Sequence, residues 1–292
     1  MNSLHTHLLL IDPQNDFCDL PESYRPAARG GQPAAAPALP VPGAHADMLR
    51  LAQFIDAASP HLNEISVTLD SHQHFDIGHP TFWQASDGAP VAPFTQIRAD
   101  EVRAKLYAPR RKELASRVLA YLDALEAEGR YVHMVWPIHC EIGSWGQGIH
   151  DDVRQAYNRW EERTLSVVNK VTKGKNPYTE HYSAIRAEVP DPEDDETQAN
   201  TELLTALRRA DRVYIAGEAG SHCVKATTEH IVTNFTAEER ARLVLLTDCM
   251  SPVGGFEAQQ ESFLSAMRAA GARTITAAQA LQELGAAPAR AR

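Results

Sequence analysis

The sequence predicts an α/β protein with a doubly wound, mainly parallel sheet flanked by helices on both faces. Short apolar runs rich in Val, Ile and Leu recur along the chain, each with the length and composition of a strand buried on both faces. Longer stretches with apolar residues at helical spacing lie between most of them. Alternation of strand with helix is the pattern of crossover connections in a parallel sheet. A chain of 292 residues that is 43% hydrophobic also supplies enough apolar surface for a sizeable core.

LLLI (8–11) opens the sheet. ADMLRLAQFIDAA (46–58) follows as a helix, with Met48, Leu49, Leu51, Ala52 and Ile55 on its apolar side. ISVTL (65–69) is the second strand. ELASRVLAYLDALEAEG (113–129) repeats the helical spacing and closes on Gly129, a helix stop. YVHMVW (131–136) and LSVVNKV (165–171) read as strands, TELLTALRRA (201–210) as a helix and RVYIAG (212–217) as a strand. A helix-like segment begins at Cys223. LVLLT (243–247), the helix FEAQQESFLSAMRAAG (256–271) and RTITA (273–277) complete the series. The crossovers are expected to be right-handed. Residues 21–43, dense in Pro, Ala and Gly, and residues 186–200, acidic and polar, fit no element. Both read as surface insertions in a single domain spanning 1–292.

A formal net charge of -10 offers nothing to recruit nucleic acid or an anionic membrane. The four cysteines, Cys18, Cys140, Cys223 and Cys249, form no disulfide framework, and no CxxC pair exists. No apolar stretch approaches the ~18 residues of a membrane span, and the first residues carry no basic leader. A cytoplasmic, reducing compartment is expected, and a homo-oligomer is left open.

In an open parallel sheet, ligands collect beyond the carboxyl ends of the strands. Asp12 follows the first strand, in DPQNDF, and Asp70 follows the second, in DSHQHFDIGHPTFW. His139 follows YVHMVW, Lys173 follows LSVVNKV, and GEAGSHCV follows RVYIAG. One edge thus gathers carboxylates, a lysine, histidines and a cysteine, a set suited to hydrolysis. A helix starting near Ser221 to Cys223 puts free N–H groups and a positive dipole end at the sulfur, which is expected to lower the thiol pKa and to offer an oxyanion site. Asp12 beside that thiol can serve as base and then acid, and Lys173 between them orients the carboxylate and favours the thiolate. Asp70 and His72, two apart on an extended segment, face one way. With His74, His79 and His139 they provide a ligand set for a divalent ion such as zinc, manganese or iron. Which of these histidines bind is open.

With these residues placed, the chain resembles the isochorismatase-like cysteine hydrolases and, within them, the nicotinamidases, over nearly its whole length and in matching order. LLLIDPQNDFC, DSHQHFDIGHPTF, WPIHCEIG, TKGKNPYTEHYSAI and AGEAGSHCV carry the resemblance. It implies the isochorismatase-like hydrolase fold and a catalytic triad of Asp12, Lys173 and Cys223. It also implies metal ligands Asp70, His72, His79 and His139, a pocket lined by Phe17, Trp136 and Tyr182, and an oxyanion hole from the backbone N–H groups of Ala219 and Cys223. A cis peptide between Glu218 and Ala219 follows from the same match. The chain departs from the family at Gly220, Ser221 and His222, before the nucleophile, and in the GSWGQG stretch after His139. The implied activity is hydrolysis of nicotinamide to nicotinate and ammonia, in pyridine nucleotide salvage. The alternatives are another small amide, imide or ureide as substrate, attack by a metal-bound water with Cys223 structural, and a non-catalytic binding protein on the same fold.

Overall fold

A computed structural model describes residues 4–28, 30 and 35–285. Its strands are β1 (Thr6–Ile11), β2 (Glu64–Asp70), β3 (Trp83–Ala85), β4 (Thr95–Ile97), β5 (Tyr107–Pro109), β6 (His133–Val135), β7 (Asn169–Lys173), β8 (Arg212–Gly217), β9 (Leu243–Leu246) and β10 (Arg273–Ile275). Its helices are α1 (Ala44–Ala58), α2 (Ala99–Arg103), α3 (Ala115–Glu128), α4 (Asp151–Thr164), α5 (Thr201–Arg209), α6 (Cys223–Asn234), α7 (Ala237–Arg240), α8 (Glu257–Ala269) and α9 (Ala277–Leu284). The main sheet has six strands in the order β10-β9-β8-β1-β2-β7, and every pairing in it is parallel.

The chain leaves β1 through α1 toward β2, and leaves β8 through α6 toward β9, on the other side of β1. Right-handed crossovers running in opposite directions put those helices on opposite faces. Accordingly α1 packs with α4 and α9, while α6 packs with α8. The strand order reverses between β1 and β8, and a doubly wound sheet offers its ligand crevice at such a switch point. Both central strands are buried along nearly their whole length, as a sheet covered on two faces requires. A second group of buried apolar side chains, with Phe82, Trp83, Val118 and Leu122 at its centre, joins α2 and α3 to the small antiparallel ladders β3–β5 and β4–β6.

Three expectations are corrected. YVHMVW does not enter the main sheet. The place beside β2 is taken by β7, and His133–Val135 pairs antiparallel with Thr95–Ile97. Pro137 offers no N–H to extend that ladder. LSVVNKV begins too early: Leu165 is the left-handed C-cap of α4, and Leu165 and Val167 are exposed at 92% and 82%. Helix α4 itself is absent from the sequence reading, although Val153, Ala156, Tyr157 and Trp160 trace a buried face at helical spacing. RTITA is a strand only to Ile275. Thr276 then caps α9 in a capping box with Gln279.

The two supposed surface insertions are partly buried. Residues 29 and 31–34 lie outside the described part of the chain, but Leu39 and Val41 are buried, and their N–H groups bond to the carbonyls of Asp16 and Phe17. Within 186–200, Ala187, Glu188 and Thr197 are buried, and Glu188 is ion-paired with Arg130 at 3.0 Å. No helix among the described residues is long and apolar enough to cross a membrane.

Candidate active site

The carboxyl ends of β1, β2, β7 and β8 meet at the switch point. Asp12 follows β1 at φ 45°, a left-handed conformation that Asp tolerates better than most residues. Gly217 ends β8 at φ 125°, where a Cβ would fall 1.9 Å from the carbonyl oxygen of Ile11, so only glycine lets these two strand ends approach. The peptide between Glu218 and Ala219 is cis, and Cys223 is the first residue of α6.

The structure brings Asp12, Lys173 and Cys223 together, all buried. Lys173 Nζ lies 2.9 Å from Asp12 Oδ2, 2.9 Å from Asp70 Oδ1 and 3.6 Å from Cys223 Sγ, and donates to the carbonyl of His181 at 3.0 Å. Asp12 Oδ1 accepts from the Thr68 hydroxyl at 2.5 Å. Carboxylate oxygens of Asp12 and Asp70 and the Cys223 sulfur all lie within 4.8 Å of one another. Gly174 leaves room for this crowding, since a Cβ there would sit 3.0 Å from Asp70 Oδ1.

Burial opposes the ammonium of Lys173, but Asp12, Asp70 and Cys223 outweigh it and hold its pKa well above the usual lysine value. Burial raises the pKa of Asp12; Lys173 opposes that rise, and the charge of Asp70 adds to it. The expected lowering of the Cys223 thiol pKa is overturned. Burial pushes it well above the ordinary value, Lys173 pulls it down, and the carboxylates of Asp12 and Asp70 push it further up. With no metal ion on Asp70, burial and the two carboxylates favour the protonated thiol, beside a carboxylate more basic than usual.

Asp70 links this cluster to a second one. Its Oδ1 faces Lys173, while its Oδ2 lies 3.2 Å from His72 Nε2 and 3.5 Å from His139 Nε2. One ligand atom from each of Asp70, His72 and His139 falls within a 4.8 Å cluster. The surroundings suit a cation. His72 Nδ1 lies 3.2 Å from Asp76 Oδ2, and His139 Nδ1 lies 2.8 Å from the carbonyl of Pro137. An acceptor beside each Nδ1 would hold the proton there in a neutral ring and free Nε2, toward Asp70, for an ion. His72 Nε2 is buried without a hydrogen-bond partner. His79 stands behind His139, with its Nε2 3.3 Å from His139 Nδ1, outside the cluster. His74 is exposed and pairs with Glu141 at 2.9 Å. Burial opposes a charge on Asp70, yet the charges of His72 and Lys173 hold its pKa well below the usual range.

A pocket of about 20 Å³ opens beside Cys223 and the cation cluster, lined by Phe17, Leu39, Trp136, Glu180, Tyr182 and His222 among others. Trp136 Nε1 donates to the Tyr182 hydroxyl at 2.9 Å. The N–H groups of Ala219 and Cys223 bond to no acceptor among the described residues, whereas their neighbours Glu218, Gly220, His222 and Val224 do.

Several positioning residues were not singled out from sequence. Gln14 clamps Asp70 from both sides: its Nε2 donates to the Asp70 carbonyl at 2.8 Å and its Oε1 accepts the Asp70 N–H at 2.7 Å. Asp16 accepts from the N–H groups of Cys140 at 2.6 Å and Ala38 at 3.0 Å, tying the His139 segment to the one carrying Leu39. Both belong to DPQNDF, whose polar density beside a buried strand was the available signal. Glu180 is a buried carboxyl whose pKa burial pushes up to about 8. Nothing in its sequence context marks it.

No protein-family model and no curated protein sequence matches the chain. Solved structures do. The yeast nicotinamidase Pnc1p bound to the inhibitor nicotinaldehyde aligns with 93% of this chain and 99% of its own, at 18% identity and a TM-score of 0.61. A nicotinamidase pyrazinamidase from Acinetobacter baumanii aligns with 96% of this chain and 100% of its own, at 18% identity and 0.59. The pyrazinamidase of Pyrococcus horikoshii in complex with zinc aligns with 93% and 99%, at 18% identity and 0.51.

Proposed function

From the fold that the chain shares with these nicotinamidases, and from the clustered side chains, we propose that the protein is a metal-assisted cysteine amidohydrolase. Its substrate is a small heteroaromatic amide, nicotinamide in the first instance. The observation that carries this reading is the Lys173 ammonium, 2.9 Å from Asp12 and 3.6 Å from the Cys223 sulfur, beside the Asp70–His72–His139 cluster.

Asp12 takes the thiol proton as Cys223 Sγ attacks the carboxamide carbon. The resting thiol is neutral, so deprotonation accompanies attack, and Lys173 stabilises the charge that develops on sulfur. The unpaired N–H groups of Ala219 and Cys223 receive the oxyanion. Asp12 returns its proton to the departing ammonia, the C–N bond breaks, and an acyl thioester remains on Cys223. Asp12 then activates a water that releases the acid and restores the thiol. Asp70, His72 and His139 would hold a divalent ion, zinc, manganese or iron, which would supply a Lewis-acid contact to orient the substrate ring. Phe17, Trp136 and Tyr182 enclose the ring.

Wild type is expected to release ammonia from nicotinamide, and Cys223→Ala to lose at least about 10⁴-fold of that rate. Equal rates would end the hypothesis. A second reading keeps the machinery and changes the amide. It is favoured by His222, which stands in the pocket wall directly before the nucleophile.

A further inference from the structure

The geometry points to a second substrate subsite, beyond the wall formed by Trp136, Tyr182 and His222, that takes a carboxylate carried by the amide substrate. The inference rests on the amidase reading and deepens it by naming the substrate class.

The catalytic pocket encloses about 20 Å³, which holds about one water and not an aromatic ring. A bound amide therefore displaces side chains. A neighbouring cavity of about 200 Å³ shares Trp136, Tyr182 and His222 with the catalytic pocket, so this wall has open volume to yield into. The wall is neutral and aromatic. His222 meets Trp136 edge-on at 5.2 Å and Tyr182 at 5.7 Å.

The chemistry of the far side is distinct. Gln96, Arg130, Lys225 and Gln259 line it, and none of its lining residues is acidic, although the chain carries a net charge of -10. Arg130 is ion-paired with Glu188 and Glu229, and Lys225 with Glu229, and neither glutamate lines the cavity. The charged groups that border the cavity are therefore Arg130 and Lys225. His222 adds a directed donor. Ser221 Oγ accepts the Val253 N–H at 3.0 Å and lies 2.9 Å from His222 Nδ1. With the Ser221 hydroxyl donating to Nδ1, the neutral ring carries its proton on Nε2, which no group among the described residues accepts. Amide donors, two cations and an N–H on the shared wall are the complement of a carboxylate.

The test compares nicotinamide with 5-carboxynicotinamide, the monoamide of pyridine-3,5-dicarboxylate. Wild type is expected to favour the carboxylate-bearing amide by about tenfold or more in kcat/KM, through KM. Lys225→Met should collapse that ratio toward one, and Lys225→Arg should keep it. Calorimetric titration of Cys223→Ala with pyridine-3,5-dicarboxylate and with nicotinate reads the same subsite without turnover. The dicarboxylate should bind tighter, and the advantage should vanish when Lys225→Met is added. Equal kcat/KM for the two amides, a ratio unmoved by Lys225→Met, or equal binding of the two acids overturns the subsite. The failures are separable, because ammonia release insensitive to Cys223→Ala strikes the amidase reading, whereas Cys223-dependent release without preference strikes only the subsite.

Discussion

The two sides of the candidate site are built on opposite principles. On one side Asp12, Lys173, Asp70 and Cys223 pack charge against charge with almost no exposure. On the other, Trp136, Tyr182 and His222 pack neutral rings edge to face, with one hydrogen bond from Trp136 to Tyr182. In the charged half Lys173 is the cation shared by Asp12 and Asp70, so removing it leaves buried carboxylates without that partner. In the aromatic half a lost contact costs packing and shape, and neighbours can adjust. The first half is suited to chemistry and the second to discrimination among substrates.

Lys173→Met is the largest test of that contrast. It leaves Asp12 and Asp70 facing each other, and should cost about 3–5 kcal/mol of stability in a denaturant titration along with all turnover. Adding Asp12→Asn should recover part of the stability and none of the activity. A mild loss comparable to an aromatic substitution would erase the distinction.

A smaller effect is read in the reactivity of the thiol. The Cys223 pKa is raised in the free protein, so less thiolate is present at a given pH than for an ordinary cysteine, and alkylation by iodoacetamide should still be accelerating with pH past the ordinary value of 9.0. Lys173 lowers this pKa, so in Lys173→Met the profile should move to higher pH still. A plateau near neutral pH would show a resting thiolate and contradict the neutral-thiol description. The mildest change is Tyr182→Phe. It removes the acceptor of Trp136 Nε1, and should cost about 1 kcal/mol in stability and raise KM severalfold with kcat nearly kept. A collapse of kcat instead would place Tyr182 on the chemical side of the site.

Legibility in the sequence follows a similar divide. Strands β1 and β8 lie at the centre of the sheet, buried on both faces, and their unbroken apolar runs mark them and the residues that follow them, Asp12 and the Cys223 segment. Edge strand β7 is mostly exposed, so its composition says little. The apolar run before it, with Leu165 and Val167, belongs to an exposed turn after α4. Lys173 was still found, because the expected strand ended at Val171, only two residues before the observed end at Lys173. The residues that meet at the candidate site, Asp12, Lys173 and Cys223 with Asp70, His72 and His139, were legible as residue types at strand ends. His79 was not separable from the others, because its place behind His139 depends on a turn in which its N–H bonds to the Asp76 carbonyl. The thiol pKa was misjudged because a sequence shows the helix start and the lysine, but not the depth of burial or the second carboxylate that outweigh them.

The most direct test of the central claim is acid-quenched turnover. Protein mixed with nicotinamide is stopped within one turnover, and its peptides are mapped by mass spectrometry. A nicotinoyl group on the peptide carrying Cys223, absent in Cys223→Ser and at the other cysteines, is the predicted result. Ammonia release at full rate with the Cys223 peptide unmodified throughout would contradict the account.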